Sequence, residues 1–336
     1  MELGAVFSTS QGTIVGPPVG PAYPFAAWAE DAGKTLAVLE GAGFTYIAVT
    51  HAYQSSWTHP FVLLSRVAAM SGQLRMSTEI LQLPLLNAMD TAYAVASLDH
   101  VSGGRLDLGI GIGYHAKELQ AMGVTRADRA PKFEESVQVL RQFWTGAPVR
   151  HDGRYITVDG VQLGLVPLQR PHPPLWGAAQ SLPAAQRAAR TLDGIIIGPQ
   201  VTFGDAKTLV DAYGTEWAKH HAEPPGRIAV WRTLIVGADP HDALDRAVAS
   251  GQFTFKRYTE GGMQEKAMVK VRLALDERAD DWAILGSYRD LLEGLRRTRD
   301  EVGATRVTCQ LSNLPGPPAA RREWLQGFAE EVVARL

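Results

Sequence analysis

The sequence is short of cysteine, of long apolar runs and of net charge, and each shortage removes a class of answer. One cysteine, Cys309, stands among 336 residues. An internal disulfide is therefore excluded, and no thiolate metal site is encoded. No stretch approaches the ~18 uninterrupted apolar residues of a membrane span. The N-terminal MELGAVFSTS lacks the charged leader and apolar run of a secretory signal. A cytoplasmic protein with no membrane partner is the expectation. Basic residues number 33 against 35 acidic ones, for a formal net charge of −2, so no basic field recruits nucleic acid. None of the 9 histidines shows H-E-x-x-H spacing or a carboxylate cluster, and no catalytic metal is expected.

What is present is ample apolar material, 46% hydrophobic against 20% charged, organised around SGGRLDLGIGIGYHAKELQAMG at 102–123. Read with period two, Leu106, Leu108, Ile110 and Ile112 share one face, and Asp107, Gly109, Gly111 and Gly113 the other. That is a strand with one apolar face and one nearly empty face. Bare glycines in a strand mark a close approach of another backbone or space kept for something else. Gly111, Gly113 and Ala116 also fit G-x-G-x-x-A, the dinucleotide fingerprint. The rival reading is a barrel strand cleared on its inner side for a planar cofactor.

The order of elements separates the two. Strands are expected at Leu3–Ser8, Phe44–Thr50, Leu74–Leu83, Leu106–Ile112, Leu175–Ala178, Ile195–Ile197, Ile228–Val236 and Thr305–Ser312, with helical patterns between them. Residues 146–173 contain HDGRYITVDGVQL, a hairpin with Asp-Gly turns. Residues 251–285 read as irregular or helical, and 12–24 as a long Gly/Pro loop. Eight strands alternating with helices is the count of a (β/α)8 barrel in a single domain spanning 1–336, with insertions near 146–173 and 251–285. A doubly wound sheet would carry its fingerprint after the first strand, whereas here the glycines follow the fourth.

LDHVSGGRLDLGIGIGYHAKELQAMGV, FWTGAPVRHDGRYITVDGVQL, PLQRPHPPLWGAAQSLPAAQRAARTLDGIII and AILGSYRDLLEGLRRTRDEVGATRV together resemble the bacterial luciferase-like flavin-dependent monooxygenases. The resemblance implies a TIM barrel, usually dimeric, that binds reduced FMN at its C-terminal mouth and uses dioxygen. In some branches it implies a deazaflavin and hydride transfer without oxygen. A separate flavin reductase is the implied partner of the FMN branch, and a small organic molecule the substrate. A flavin-binding protein without turnover is the alternative from another class.

Strand C-termini of a barrel open on one face, so residues there converge from distant parts of the chain. The resemblance places His51 near the flavin, where an imidazole could handle a proton. Relatives often carry an acidic residue before it, and Thr50 stands there instead. Glu79 shares a strand side with Ser77 and points inward if that side does. Many relatives are small or apolar at that position. Buried, Glu79 needs a partner such as Arg232 or Arg105, and a structural ion pair is as good a reading as a catalytic one. Arg232, on an otherwise apolar strand, must itself find an anion or reach solvent. Gly177, Ala178, Ala179, Gln180 and Ser181 form a strand-to-helix turn suited to a phosphate, where relatives often show two glycines. Ser181 could instead simply cap the helix. Gly111, Gly113 and Tyr114 are expected to flank the cofactor, with the ring lying over the glycines. Trp57 and His59 could line a pocket.

Overall fold

The computed structural model describes residues 1–7, 14–15, 20, 22–53, 58–249, 282–312, 314 and 316–336. Eight parallel strands close into a ring: β1 (Glu2–Val6), β2 (Tyr46–Val49), β3 (Arg75–Gln82), β4 (Leu106–Gly111), β7 (Leu175–Ala179), β8 (Gly194–Ile197), β9 (Ile228–Val236) and β11 (Arg306–Ser312). Closure comes from β9, which pairs with β8 on one side and with β11 on the other, while β11 pairs with β1. Outside the ring, β5 (Val149–Asp152) and β6 (Thr157–Val161) form the expected antiparallel hairpin. The eight expected barrel strands are all present. The G-x-G-x-x-A match is therefore a strand-to-helix turn of a barrel, with no open sheet behind it.

Ten helices can be labelled among the described residues: α1 (Phe25–Gly41), α2 (Pro60–Met70), α3 (Ala88–Val101), α4 (Ala116–Ala121), α5 (Arg129–Trp144), α6 (Leu182–Thr191), α7 (Phe203–Trp217), α8 (Pro240–Ala249), α9 (Tyr288–Asp300) and α10 (Pro318–Glu331). Their starts follow local chemistry. Asn87 accepts from the N–H of Asp90 at 3.1 Å to open α3, Thr202 does the same from Asp205 at 3.0 Å for α7, and Ser287 with Asp290 forms a capping box on α9. α5 carries Pro131 in its first turn, where the missing N–H costs nothing. No helix among the described residues is long and apolar enough to cross a membrane.

One strand escapes the sequence pattern. β10 (Ala283–Gly286) pairs in parallel with β9, Ala283 against Thr233 through Gly286 against Val236. Four residues are too few to show a period. The rest of the 251–285 expectation, most of the 12–24 loop, and Trp57 lie outside the described residues.

Side-chain parity divides the barrel into two cores. Leu106, Leu108 and Ile110 of β4 join the large core between strands and helices, so Asp107, Gly109 and Gly111 face inward. The N-terminal end of the barrel is closed by charge. Asp107 receives Arg75 through Nε at 3.2 Å and Arg306 through Nη1 at 2.8 Å, and Arg306 also donates to Glu2 at 2.7 Å. Arg306 lies 4.1 Å from the Tyr46 ring centroid and 4.6 Å from that of Trp176. The Tyr46 ring occupies the space a side chain at Gly4 would take, and its hydroxyl meets Thr308 at 2.6 Å. A floor this well paired leaves the opposite end of the barrel for chemistry.

Candidate functional site

His51 follows β2 and is 7% exposed. Its Nδ1 accepts the backbone N–H of Gln82 at 3.3 Å. A neutral imidazole that accepts at Nδ1 carries its proton on Nε2. That Nε2 is buried and has no hydrogen-bond partner among the described residues. The Gln82 side-chain amide donates to the His51 carbonyl at 3.1 Å and to Glu118 at 2.9 Å. The group that orients the imidazole is thus the end of β3, held in turn by a carboxylate of α4. The residue before the histidine plays no part in it. Burial, then the neighbouring His59, depress the imidazole to about 4, with Glu118 pulling weakly the other way. His59 itself caps α2, accepting from Phe61 N–H at 3.3 Å.

Glu79 points inward and is 3% exposed. Burial raises its carboxyl to about 7. The Thr308 hydroxyl, Arg306 and the Ser77 hydroxyl pull it down, and Asp107 pushes it up. Even so, neither carboxylate oxygen makes a hydrogen bond of normal geometry among the described residues, and Arg306 is bonded to Asp107 and Glu2. Arg105 is no partner for it either. That side chain binds the carbonyls of Ser102, Leu74 and Ala68.

Arg232, expected as a catalytic residue, lies with its side chain on the outer side of the barrel wall. Its neighbours in parity, Val230 and Leu234, lie in the outer core. Its guanidinium stacks on Phe203 of α7, 4.2 Å from the ring centroid, with Arg297 of α9 also 4.2 Å from that ring. Nη1 donates to the Val201 carbonyl at 2.8 Å, while Nε and Nη2 have no hydrogen-bond partner among the described residues. Burial and Arg297 lower it to about 9. A buried, incompletely satisfied cation is destabilising. Arg232→Met is expected to raise stability by ~1 kcal/mol in urea unfolding and to leave ligand binding unchanged. A loss of binding would return Arg232 to the site.

On the bare face of β4, the close approach of another backbone is the reading that holds. A side chain at Gly109 would collide with the Thr78 carbonyl and meet Ile196 at 2.9 Å; one at Gly111 would meet Ile80 at 2.6 Å. The neighbouring strand fills that space, at the point where the β3 register slips between Thr78 and Leu81. Gly113 has φ +74° and lies against Gln82, a left-handed turn that admits glycine most readily. Gly177 faces outward, where a side chain would strike Leu192 and Ala188 of α6, and Ala179 joins the outer core. Ala178 and Gln180 therefore present their side chains to the inside, both half-buried. Ser181 starts α6 without a side-chain cap bond, and a proline sits in the first turn, removing one N–H from any anion site there.

Because β4 pairs with β7, the turns after these two strands are neighbours. Beside the first lies a cavity of about 430 Å³ lined by Tyr114, Gln120, Arg126 and Arg129 among others. Arg129 donates to the Gly113 carbonyl at 2.7 Å. Burial and the charges of Arg126 and Arg187 lower its pKa, so the rim is locally cationic. Sequence reasoning missed these arginines, because none sits in a glycine-rich motif. It also missed Trp231, whose buried Nε1 is unpartnered and whose parity with Ala229 turns it inward.

Several buried polar atoms have no hydrogen-bond partner among the described residues: His51 Nε2, both Glu79 oxygens, Gln82 Oε1 and Trp231 Nε1. A model of the luciferase-like monooxygenases matches residues 1–333. The chain belongs to this family. It is 24% identical over 324 residues to 5,10-methylenetetrahydromethanopterin reductase of Archaeoglobus fulgidus, covering 88% of this chain and 93% of that one. It is 32% identical over 158 residues to the uncharacterized protein y4wF of Sinorhizobium fredii, a match spanning 47% of this chain and less than half, 45%, of that relative. Among solved structures it is similar to the monooxygenase RslO1 of Streptomyces bottropensis, with TM-score 0.80, 19% identity, and 100% and 99% of the two chains covered. It is also similar to the oxygenating constituent of 3,6-diketocamphane monooxygenase of Pseudomonas putida in complex with FMN, with TM-score 0.77, 18% identity, and 100% and 98% covered. At such identities the structures speak for the fold alone.

Proposed function

We propose that this luciferase-like protein binds reduced FMN delivered by a separate reductase and oxidises a small organic substrate with dioxygen. The observation that carries the reading is the match of the luciferase-like monooxygenase model to residues 1–333, together with a cavity of about 430 Å³ at the turn after the glycine-faced strand whose lining includes Arg126 and Arg129. Bound reduced flavin would supply the electrons and the atom at which dioxygen reacts. The anionic end of the cofactor would sit between the turns at Gly111–Tyr114 and Ala178–Ser181, with Arg129 contributing charge. The buried walls of the mouth would exclude water from the reacting centre. A homodimer would use the apolar surface of α2 and α3, where Val62, Met89 and Tyr93 are exposed.

A deazaflavin is the second reading. The clustered charges of Arg126, Arg129 and Arg187 would suit a cofactor with a long acidic tail, and the Archaeoglobus relative is named as a reductase. Anaerobic titration with reduced FMN and with reduced 8-hydroxy-5-deazaflavin, followed by admission of oxygen, distinguishes them. The expected result is saturable FMN binding and substrate-dependent oxygen uptake. Binding of the deazaflavin alone, with no oxygen consumed, would overturn the FMN reading.

A further inference from the structure

We propose that the two arginines of the cavity beside β4 divide its work: Arg129 is a strut that fixes the turn, and Arg126 is the group that meets a doubly charged phosphate on the ligand. The assignment rests on the reading above for its ligand and on the geometry of the cavity for its roles. The loop that carries the arginines is pinned at both ends. Val124 is buried against Leu85 and Leu119, and its N–H donates to the Leu119 carbonyl at 2.9 Å. Asp128 N–H donates to the Thr125 carbonyl at 3.2 Å, and the Thr125 hydroxyl donates to the Asp128 carboxylate, closing a turn with Arg126 inside it. Arg129 Nη1 donates to the Gly113 carbonyl at 2.7 Å, and its Nε to the Arg126 carbonyl at 3.2 Å. One planar fork therefore joins the turn after β4 to the turn before α5. Two of its donors are committed to backbone.

Arg126 is in the opposite condition. Its backbone is held, but its side chain is exposed, and its guanidinium makes no hydrogen bond or ion pair among the described residues. The acids around the start of α5 are already taken. Asp128 accepts from the Tyr155 hydroxyl at 2.7 Å and from Arg154 at 3.3 Å. Glu134 accepts from Arg187 at 2.9 Å, and Glu135 from the N–H groups of Tyr155 and Ile156 at 3.0 and 2.8 Å. No acidic residue stands among those lining the cavity. Two cations thus share one open space with no counter-charge on its walls, and burial, Arg126 and Arg187 all disfavour the Arg129 cation. An anion in the cavity relieves that repulsion. A monoester phosphate carries up to two negative charges and three acceptor oxygens, which a free guanidinium matches with its planar donors. Arg129 keeps its charge in the field of the cavity, but its fork is turned to the backbone. Sensitivity to ligand charge therefore belongs to Arg126. A ligand without phosphate feels no loss when Arg126 is replaced, whereas removal of the strut disturbs the turn for every ligand.

Anaerobic calorimetry with reduced FMN and reduced riboflavin, which differ in the phosphate alone, separates the two roles. Arg126→Gln is expected to weaken FMN binding by ~10-fold, to leave riboflavin within about 2-fold of the parent, and to flatten the salt dependence of FMN binding. Arg126→Lys should recover most of the loss, because a point charge suffices there. Arg129→Gln should weaken both flavins by a similar factor and lower the melting temperature of the cofactor-free full chain. Arg129→Lys should restore neither, because an ammonium does not reproduce the fork. Equal losses of FMN and riboflavin in Arg126→Gln, or a loss confined to FMN in Arg129→Gln with the melting temperature unmoved, would overturn the assignment. If the parent binds neither flavin, the FMN reading fails, and inorganic phosphate decides the roles by itself. It should raise the melting temperature of the parent and of Arg126→Lys and leave that of Arg126→Gln where it was. An equal response of the parent and Arg126→Gln would overturn the assignment as well.

Discussion

Glu79→Gln is expected to be more stable than the parent by ~3 kcal/mol above neutrality, and by almost nothing at about pH 4. The folded protein holds this proton up to about 7, whereas an unperturbed glutamate releases it near 4.5. Between those values the folded state binds more protons than the unfolded chain, so the parent loses stability as pH rises through the window. Above it the full cost remains, about 1.4 kcal/mol for each tenfold change in proton affinity. The amide keeps the shape and never ionises. His51 works in the reverse sense. Its folded value is about 4 against an ordinary 6.5, so the parent loses stability as pH falls through that range. His51→Asn should therefore gain on the parent in acid. From about pH 4.5 to about pH 6.5 the two effects oppose each other, and the parent curve should be flatter than that of either variant. Urea midpoints at several pH values check this. A Glu79→Gln protein less stable than the parent at about pH 8 would mean that the carboxylate has a partner after all. A residue that lowers stability in a site is the expected price of function.

Gly109→Ala should be the most damaging single methyl in the barrel. The added carbon would overlap the Thr78 carbonyl oxygen, far inside van der Waals contact. That oxygen belongs to backbone tied to the same strand, since Thr78 Oγ1 donates to the Gly109 carbonyl at 2.7 Å. Strands β3 and β4 would have to separate, at a cost of ~3 kcal/mol or more. Gly111→Ala meets the Cδ1 end of Ile80 at 2.6 Å and Ala178 Cβ at 3.2 Å. A terminal methyl can turn aside, so the cost should be closer to ~1 kcal/mol. Thermal unfolding of both variants measures the contrast. Equal melting temperatures would show that β3 does not press on β4 as described.

The barrel was legible because its signals are local. The period of two in 106–112, the caps at Asn87 and Thr202, and the Asp-Gly turns of the hairpin each need only a few neighbours in sequence. Family membership was legible for a related reason, since whole segments keep their order along the chain. Glycines without side chains were visible too, but what occupied their space was not. The occupant comes from β3, some thirty residues away. The direction of Arg232 was not legible because β9 is buried along both faces, and a strand apolar on both sides carries no alternation to reveal which way a residue points.

The sequence by itself determined that strands and helices alternate eight times and that His51 and Glu79 stand in or just after barrel strands. Only the tertiary structure decided their chemistry. Whether a histidine can be charged, or a carboxyl must stay neutral, depends on which donors and charges stand within a few ångströms, and those arrive from other strands. Periodicity is a property of neighbours along the chain, whereas proton affinity is a property of neighbours in space.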